Sequence, residues 1–174
     1  MTTTTCGVIR DGTDSLPGMD RTLVICKPDS VERGLVGEIL GRFEQKGFTL
    51  AAAELRTLDA DTLGRHYEEH VGKPFYDGLV GFMTSSPVCV LAVRGVGAIA
   101  IARSMMGATF GSKAEAGTIR GDFGVSNSFN LIHGSDSPEA AAKEIGLFFG
   151  EGDIQNLDRA IEGWVYDMSS GEPE

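Results

Sequence analysis

Cysteine, histidine, tryptophan and long apolar runs are all scarce in this 174-residue chain. Its three cysteines, Cys6, Cys26 and Cys89, form an odd, widely spaced set with no CxxC pair. That pattern argues against a disulfide framework and against a zinc ribbon, and for a reducing compartment. No apolar stretch approaches the roughly 20 residues of a membrane-spanning helix. Residues 1–10 lack a basic start followed by an apolar core, so they do not read as a secretion signal. A cytoplasmic setting is the expectation, with no membrane partner. Positive charge is also short: 15 Lys and Arg stand against 25 Asp and Glu, a net charge of −10. The imbalance sits at the ends, since residues 21–150 carry a net of only −2 and residues 151–174 a net of −6. Acidic ends aid solubility and disfavour non-specific nucleic-acid binding, so no specific nucleic-acid partner is expected.

What the chain does have is 41% apolar residues, enough for a core. Its length suits a single domain with tails. Residues 1–18 mix Thr, Gly, Asp and Pro without a period and read as a flexible leader, 19–166 as the domain, and 167–174 as an acidic tail. The well-patterned part begins at Met19, which makes that residue a candidate start of translation, testable by mass spectrometry of the native protein. Apolar runs predict strands over 21–26, 48–58, 87–93 and 130–133. Val36, Ile39, Leu40 and Phe43 recur at helical spacing, with Gly47 closing that helix. Further helices are predicted after Asp59 or Asp61 (with Leu63, Tyr67 and His70 on one face), over 75–83, over 96–107, and from Pro138 to 149. Residues 108–119 read as a long loop. The order βαβ, more helices, then βαβ predicts an α+β ferredoxin-like sandwich, a four-stranded antiparallel sheet covered by helices.

Chemistry concentrates in Asn130-Leu-Ile-His133-Gly-Ser-Asp136-Ser. A neutral imidazole at a strand end is available as base, ligand or nucleophile. Gly134 is expected to leave room for a ligand to reach the ring, with Ser135 and Asp136 offering polar contacts. The plain alternative is a histidine that caps the strand. Arg103 is the only charge between Val96 and Gly107, and an arginine in an apolar stripe either snorkels to water or meets an anion in a cleft. Lys27, at a strand end before a helix start, suits a phosphate. In Gly117-Thr-Ile-Arg120-Gly-Asp-Phe123, two glycines bracket an arginine, which would let backbone approach a ligand while Arg120 forks onto it. Glu144 borders the apolar stripe of the last helix and is placed to orient His133. Two look-alikes are set aside. Gly107 to Lys113 evokes a phosphate-binding loop, but its glycines are one residue too close. His66-Tyr-Glu-Glu-His70 matches the HxxEH pattern of zinc peptidases, but Tyr67 shares the face and no third ligand is evident.

Taken together, these segments resemble the nucleoside diphosphate kinases. The resemblance is carried by Arg21-Thr-Leu-Val-Ile-Cys-Lys27-Pro-Asp, Arg33-Gly-Leu-Val-Gly-Glu-Ile, Phe43-Glu-Gln-Lys-Gly-Phe, His66-Tyr67, Lys73-Pro-Phe75, Gly78-Leu-Val, the Gly117–Phe123 block and the block around His133. It runs from about Met19 to Tyr166. It implies a ping-pong exchange of the γ-phosphate between nucleoside triphosphates and diphosphates, through a phosphohistidine on His133. Glu144 matches the glutamate that bonds the ring nitrogen not used for attack. Lys27, Arg103, Thr109 and Arg120 match phosphate contacts, and Asn130 with Lys27 matches contacts to the sugar 3′-hydroxyl. Phe75 matches the aromatic that stacks on the base. Tyr67 matches a tyrosine near the histidine and the lysine. Asp136 matches an aspartate near Mg²⁺, which is held mainly by the nucleotide. A homo-oligomer, hexamer or tetramer, is implied.

The chain departs from the family in places. Ser30 and Thr109-Phe110-Gly111 replace a usual Gly and Thr-Asn/Asp-Pro, Ala116 often is Pro, and Asn127-Ser128-Phe129-Asn130 replaces Val-Gly-Arg-Asn. Losing both prolines is expected to loosen the 108–119 loop, which bears on subunit count. Two other readings are a family-like binding protein without catalysis and a zinc hydrolase at His66 and His70. Arg120→Ala is expected to slow transfer more than it disturbs folding.

Overall fold

Every residue of the strand Val88–Val96 (β3) except its last is buried, the signature of a central strand covered on both faces. The structure, a computed structural model, describes residues 18–174 apart from 158 and 172. Nearly all of the expected leader therefore lies outside the described residues. β3 pairs antiparallel with Met19–Cys26 (β1) and Thr49–Arg56 (β2), and β1 also pairs antiparallel with the short strand Ile132–Gly134 (β4). The sheet order is β2-β3-β1-β4. This is the antiparallel α+β sheet that the alternation of elements predicted.

The period of two divides each strand between two cores. Val24, Cys26, Leu91 and Val93 pack with Ile39 and Phe43 of the helix Val36–Gln45 (α2) and with Ala98, Ala102 and Met106 of Ala98–Met106 (α5). A five-residue helix, Pro28–Glu32 (α1), precedes α2. Leu23, Ile25, Val90 and Ala92 face the other way. They meet Leu63 of Ala60–His66 (α3), Met83 of Tyr76–Met83 (α4), and Phe148 of the helix Pro138–Phe148. That last helix is α7, because Ile119–Phe123 forms α6 before it. His133 pairs with Ile25 in the β1–β4 register and so lies on the α3 and α7 side.

Several boundaries differ from those read in the sequence. The fourth strand starts at Ile132 rather than 130, because Leu131 sits at φ +68° and cannot continue a strand. The end of the 108–119 loop and the block after it hold α6, capped by Thr118, whose hydroxyl accepts from the Gly121 N–H. In place of prolines, Asp122 ties this loop down. It accepts from the Gly117 N–H at 2.7 Å and pairs with Arg42 at 2.7 Å. Helix α3 opens on Asp59, whose carboxylate accepts from the Thr62 N–H. It ends at His66. The polar run Glu68–His70 tightens into a 3₁₀ turn, so His70 does not share the α3 face. After α7 the described residues form a 3₁₀ turn, Glu151–Asp153, and the short helix Glu162–Val165 (α8). Arg94 of β3, fully buried, donates to the Leu157 carbonyl at 2.7 Å and pairs with Glu162 at 3.0 Å, fastening this segment to the sheet.

Candidate functional site

A cavity of about 1160 Å³ opens over the β1–β4 end of the sheet. All ten residues singled out above line it: Lys27, Tyr67, Phe75, Arg103, Thr109, Arg120, Asn130, His133, Asp136 and Glu144. They come from eight separate stretches of chain, and only the fold brings them together.

His133 and Glu144 form its centre. The Nε2 of His133 donates to Glu144 Oε1 at 3.0 Å, so the proton belongs on Nε2, and Nδ1 has no hydrogen-bond partner among the described residues. The other carboxylate oxygen accepts from the Ser135 hydroxyl at 2.6 Å. Ser135 is buried, and its Oγ in turn accepts from the Leu23 N–H. Burial raises the Glu144 carboxyl pKa, but the hydrogen bond and charge of His133, with Ser135 and His66, outweigh it and hold the group below its ordinary value. Ser135 therefore braces Glu144 and does not itself line the cavity.

Of the five Lys and Arg residues that line the cavity, three are those the sequence singled out: Lys27, Arg103 and Arg120. Lys27 is buried at the end of β1, where its Nζ donates to Asn130 Oδ1 at 2.7 Å. Burial, and then the charge of Arg120, lower the Lys27 ammonium to about 8. Asn130 Nδ2 donates to the Thr109 carbonyl at 2.8 Å, which links the loop to the lysine. Arg103 is exposed at the cavity wall and donates to the Gly134 carbonyl at 3.4 Å. It is neither sunk in the apolar stripe nor free in solvent. Arg120 is only 4% exposed. It donates to the carbonyls of Asn130 at 3.0 Å, Gly107 at 3.0 Å and Ile132 at 2.7 Å. Of its five N–H groups, two remain for a ligand. Burial, then Arg103, lower its pKa to about 10.

Two readings of the glycines need correction. At Gly134 an added Cβ would meet Met106 Sδ at 2.6 Å, so the position is small for packing against α5 and not for ligand access. At Gly121 a Cβ would strike the Glu115 carbonyl at 1.9 Å, so this glycine closes the turn onto its own backbone. Arg120 likewise forks onto carbonyls first. These contacts give Arg120 a structural part as well, which bears on the expectation that its loss slows transfer more than it disturbs folding.

Phe75 lines the cavity, 53% exposed, with its ring edge-on to His70. Tyr67 is buried beside the centre, 6.3 Å from the His133 ring, and burial, with the charge of Glu144, pushes its hydroxyl pKa up. Asp136 is exposed on the rim and forms no ion pair among the described residues.

Some contributors were not legible in advance. Leu131 holds a left-handed backbone between Asn130 and Ile132. It is pinned by the Asp29 carboxylate on its N–H at 3.0 Å, and its carbonyl accepts from the Lys27 N–H and from the Ser30 hydroxyl at 2.5 Å. Ser30, a departure from the family pattern, is thus a strut under the strained residue. His66, the first histidine of the HxxEH pattern, lies with His133, ring centroids 4.7 Å apart. His70 instead stacks on Tyr67 and contacts Lys73. The zinc-peptidase pairing of His66 with His70 is therefore not formed. Burial above all, and then His133, lower the His66 pKa to about 3, so the ring is neutral.

An imidazole with one nitrogen engaged by a carboxylate, facing a cavity ringed by cations, defines a class of α+β proteins equipped to handle phosphoryl groups. The family model of nucleoside diphosphate kinases matches residues 20–154. A nucleoside diphosphate kinase from Thermomicrobium roseum is 52% identical over 147 residues, covering 84% of this chain and 99% of the relative. One from Carboxydothermus hydrogenoformans is 49% identical over 149 residues, covering 86% and 100%. The solved structure of a halophilic nucleoside diphosphate kinase from Halobacterium salinarum in complex with CDP superposes with a TM-score of 0.83 at 44% identity, covering 85% of this chain and 99% of that one. The chain belongs to the nucleoside diphosphate kinase family.

Proposed function

We propose that this protein reversibly moves the γ-phosphate of a nucleoside triphosphate to a nucleoside diphosphate by way of a phosphohistidine at His133 Nδ1. The observation that carries this reading is the 3.0 Å contact of His133 Nε2 with Glu144 at the wall of a cation-lined cavity. Glu144 keeps the proton on Nε2 and leaves the Nδ1 lone pair free. That lone pair attacks the γ-phosphorus, the bond to the bridging oxygen breaks, and its electron pair departs on the diphosphate. Positive charge forming on the ring is offset by Glu144. The nitrogen–phosphorus bond is then cleaved by the terminal phosphate oxygen of a second diphosphate, which restores the neutral ring. One site thus serves donor and acceptor in turn.

Phosphoryl transfer depends mainly on positioning and charge neutralisation. In this reading the two spare N–H groups of Arg120, with Arg103 and the Thr109 hydroxyl, hold the phosphates. Lys27 and Asn130, already 2.7 Å apart, hold the sugar 3′-hydroxyl between them. Phe75 stacks on the base, and because every base offers a π-face, little base preference is expected. Tyr67 packs the wall beside the nucleophile. Mg²⁺ prefers oxygen ligands, and Asp136 is an exposed carboxylate at the cavity with no ion pair among the described residues, which suits a site completed by nucleotide phosphates. When bound, Mg²⁺ supplies further charge neutralisation. A homo-oligomer, tetramer or hexamer, is part of the same reading and is supported by exposed apolar residues such as Val125 and Trp164, about nine-tenths exposed. Analytical ultracentrifugation tests it.

Incubation with γ-labelled ATP and Mg²⁺ tests the chemistry. An acid-labile, alkali-stable label is expected on the wild type and absent from His133→Ala. A folded wild type that takes up no label would favour a binding protein without catalysis.

A further inference from the structure

Among the described residues one group of side chains is arranged as a metal-ligand set, and it coincides with the centre of the cavity. His66, His133 and Glu144 each offer one ligand atom, and all three atoms lie within 4.8 Å of one another. Glu144 Oε1 is 3.0 Å from His133 Nε2 and 3.7 Å from His66 Nδ1. A tetrahedral zinc ion with bonds near 2.1 Å sets its ligand atoms about 3.4 Å apart. Those two edges bracket that spacing.

The second observation is the state of His66. Its side chain is 0% exposed, and neither ring nitrogen has a hydrogen-bond partner. Buried polar atoms are nearly always paired, so an imidazole with both nitrogens orphaned calls for a ligand, water or ion. His66 lines the cavity, so the site is reached from the same opening as His133. The remaining pair of ligand atoms also lies within 4.8 Å, and among the described residues His66 has no hydrogen bond to give up.

We propose that His66, His133 and Glu144 form a site for a zinc-class divalent cation, and that its occupancy switches off phosphate transfer. Two imidazoles and a carboxylate with one position open are a familiar zinc donor set, whereas Mg²⁺ favours all-oxygen surroundings. Coordination uses the Nε2 lone pair of His133. The proton now on Nε2 must leave, and the neutral ring takes one up on Nδ1. With Nδ1 protonated, no lone pair remains to attack phosphorus, and Glu144 is withdrawn from its bond to the ring. The inhibition rests on His133 being the phosphate carrier; the binding does not.

Equilibrium dialysis of the full chain against buffered free Zn²⁺, with Mg²⁺ in excess, is expected to give one zinc per chain. Co²⁺ in its place should give the intense visible band of a tetrahedral site. His66→Gln should weaken binding by more than the roughly 10–100-fold that loss of an outer-shell partner costs. His70→Ala should bind as the wild type does. If circular dichroism finds His66→Gln unfolded, His133→Asn takes its place in the dialysis. No stoichiometric binding, full binding in the His66 or His133 variant, or loss of binding in His70→Ala would each overturn the site. Zinc should also suppress the label from ATP, each protein being compared with itself, and a chelator should restore it. Zinc bound with labelling unchanged would overturn the inhibition. If no label forms even without zinc, the phosphohistidine reading fails while the dialysis still reads the site.

Discussion

Replacing Arg120 with alanine should cost the fold as much as the chemistry. The guanidinium is buried and satisfies three carbonyls, that of Gly107 at the end of α5 and those of Asn130 and Ile132 in the segment that leads into β4. A hydrogen bond to a charged group contributes about 1.5–3 kcal/mol, and a buried acceptor left unpaired costs about 1–3 kcal/mol. Three such losses would exceed about 3 kcal/mol, against a total stability of about 5–15 kcal/mol. Because the site borders a cavity, water will rehydrate some of these carbonyls, and we expect a net loss of about 3–5 kcal/mol. For a chain of this length that is a fall in melting temperature on the order of 10 °C. Arg120→Lys keeps a cation but not the fork, and should recover part of the stability and little of the transfer rate. Thermal and urea melts, read beside single-turnover phosphorylation, separate the two effects. An Arg120→Ala protein that melts with the wild type would refute the structural role, whatever its activity.

Three further outcomes follow from the same geometry. Glu144→Gln keeps the shape but loses the charge that supports His133 and should slow phosphoenzyme formation about 10–100-fold, as loss of an orienting partner does; an unchanged single-turnover rate would contradict this. Phe75→Ala removes a stacking surface with a contribution of about 1–3 kcal/mol, so KM should rise for every nucleotide by a similar factor; a rise confined to one base would argue against generic stacking. Lys27, lowered to about 8 by burial first and Arg120 second, is charged below that pH and neutral above it. The log of kcat/KM should therefore fall as pH rises through about 8, while Lys27→Arg should remove that limb at some cost in rate. Because the folded-state pKa lies below the unfolded one, the same group makes the fold gain stability between about 8 and 10.5, where the unfolded chain holds the extra proton. An alkaline limb of equal pKa in Lys27→Arg would assign the titration elsewhere.

Periodicity made most of the fold legible, because strands and long helices announce their buried faces. The double core follows from the continuous apolar runs of 23–26 and 87–93, which suit strands covered on both faces. Short helices were not legible. Residues 28–32 and 119–123 carry no second turn in which a stripe could recur, and capping by Thr118 is visible only once the turn is formed. The expected strand at 130–133 failed at its first half for a reason no propensity encodes. Leu131 is held at φ +68° by Asp29, Lys27 and Ser30, residues a hundred positions away in the chain.

The site divides the same way. Which residue types gather there could be read from the motifs, but what each one touches could not, since hydrogen-bond partners are set by tertiary packing. Arg120 is the clearest case. Its flanking glycines suggested an open approach for a ligand, whereas one closes a turn and the arginine spends three of its five N–H groups on backbone. That expenditure also has a use. A guanidinium already fixed by three carbonyls presents its last two N–H groups in one orientation, so under the proposed function little ordering would remain when a phosphate arrives. Lys27 is held by Asn130 in the same manner, and Glu144 by Ser135. The strain at Leu131 belongs to this arrangement, because its left-handed turn directs the Asn130 side chain to Lys27 while its neighbour Ile132 begins the strand that carries His133. Relieving it by substitution would therefore loosen the proposed nucleophile and the proposed sugar contacts together, which would couple the stability of this corner of the fold to its chemistry.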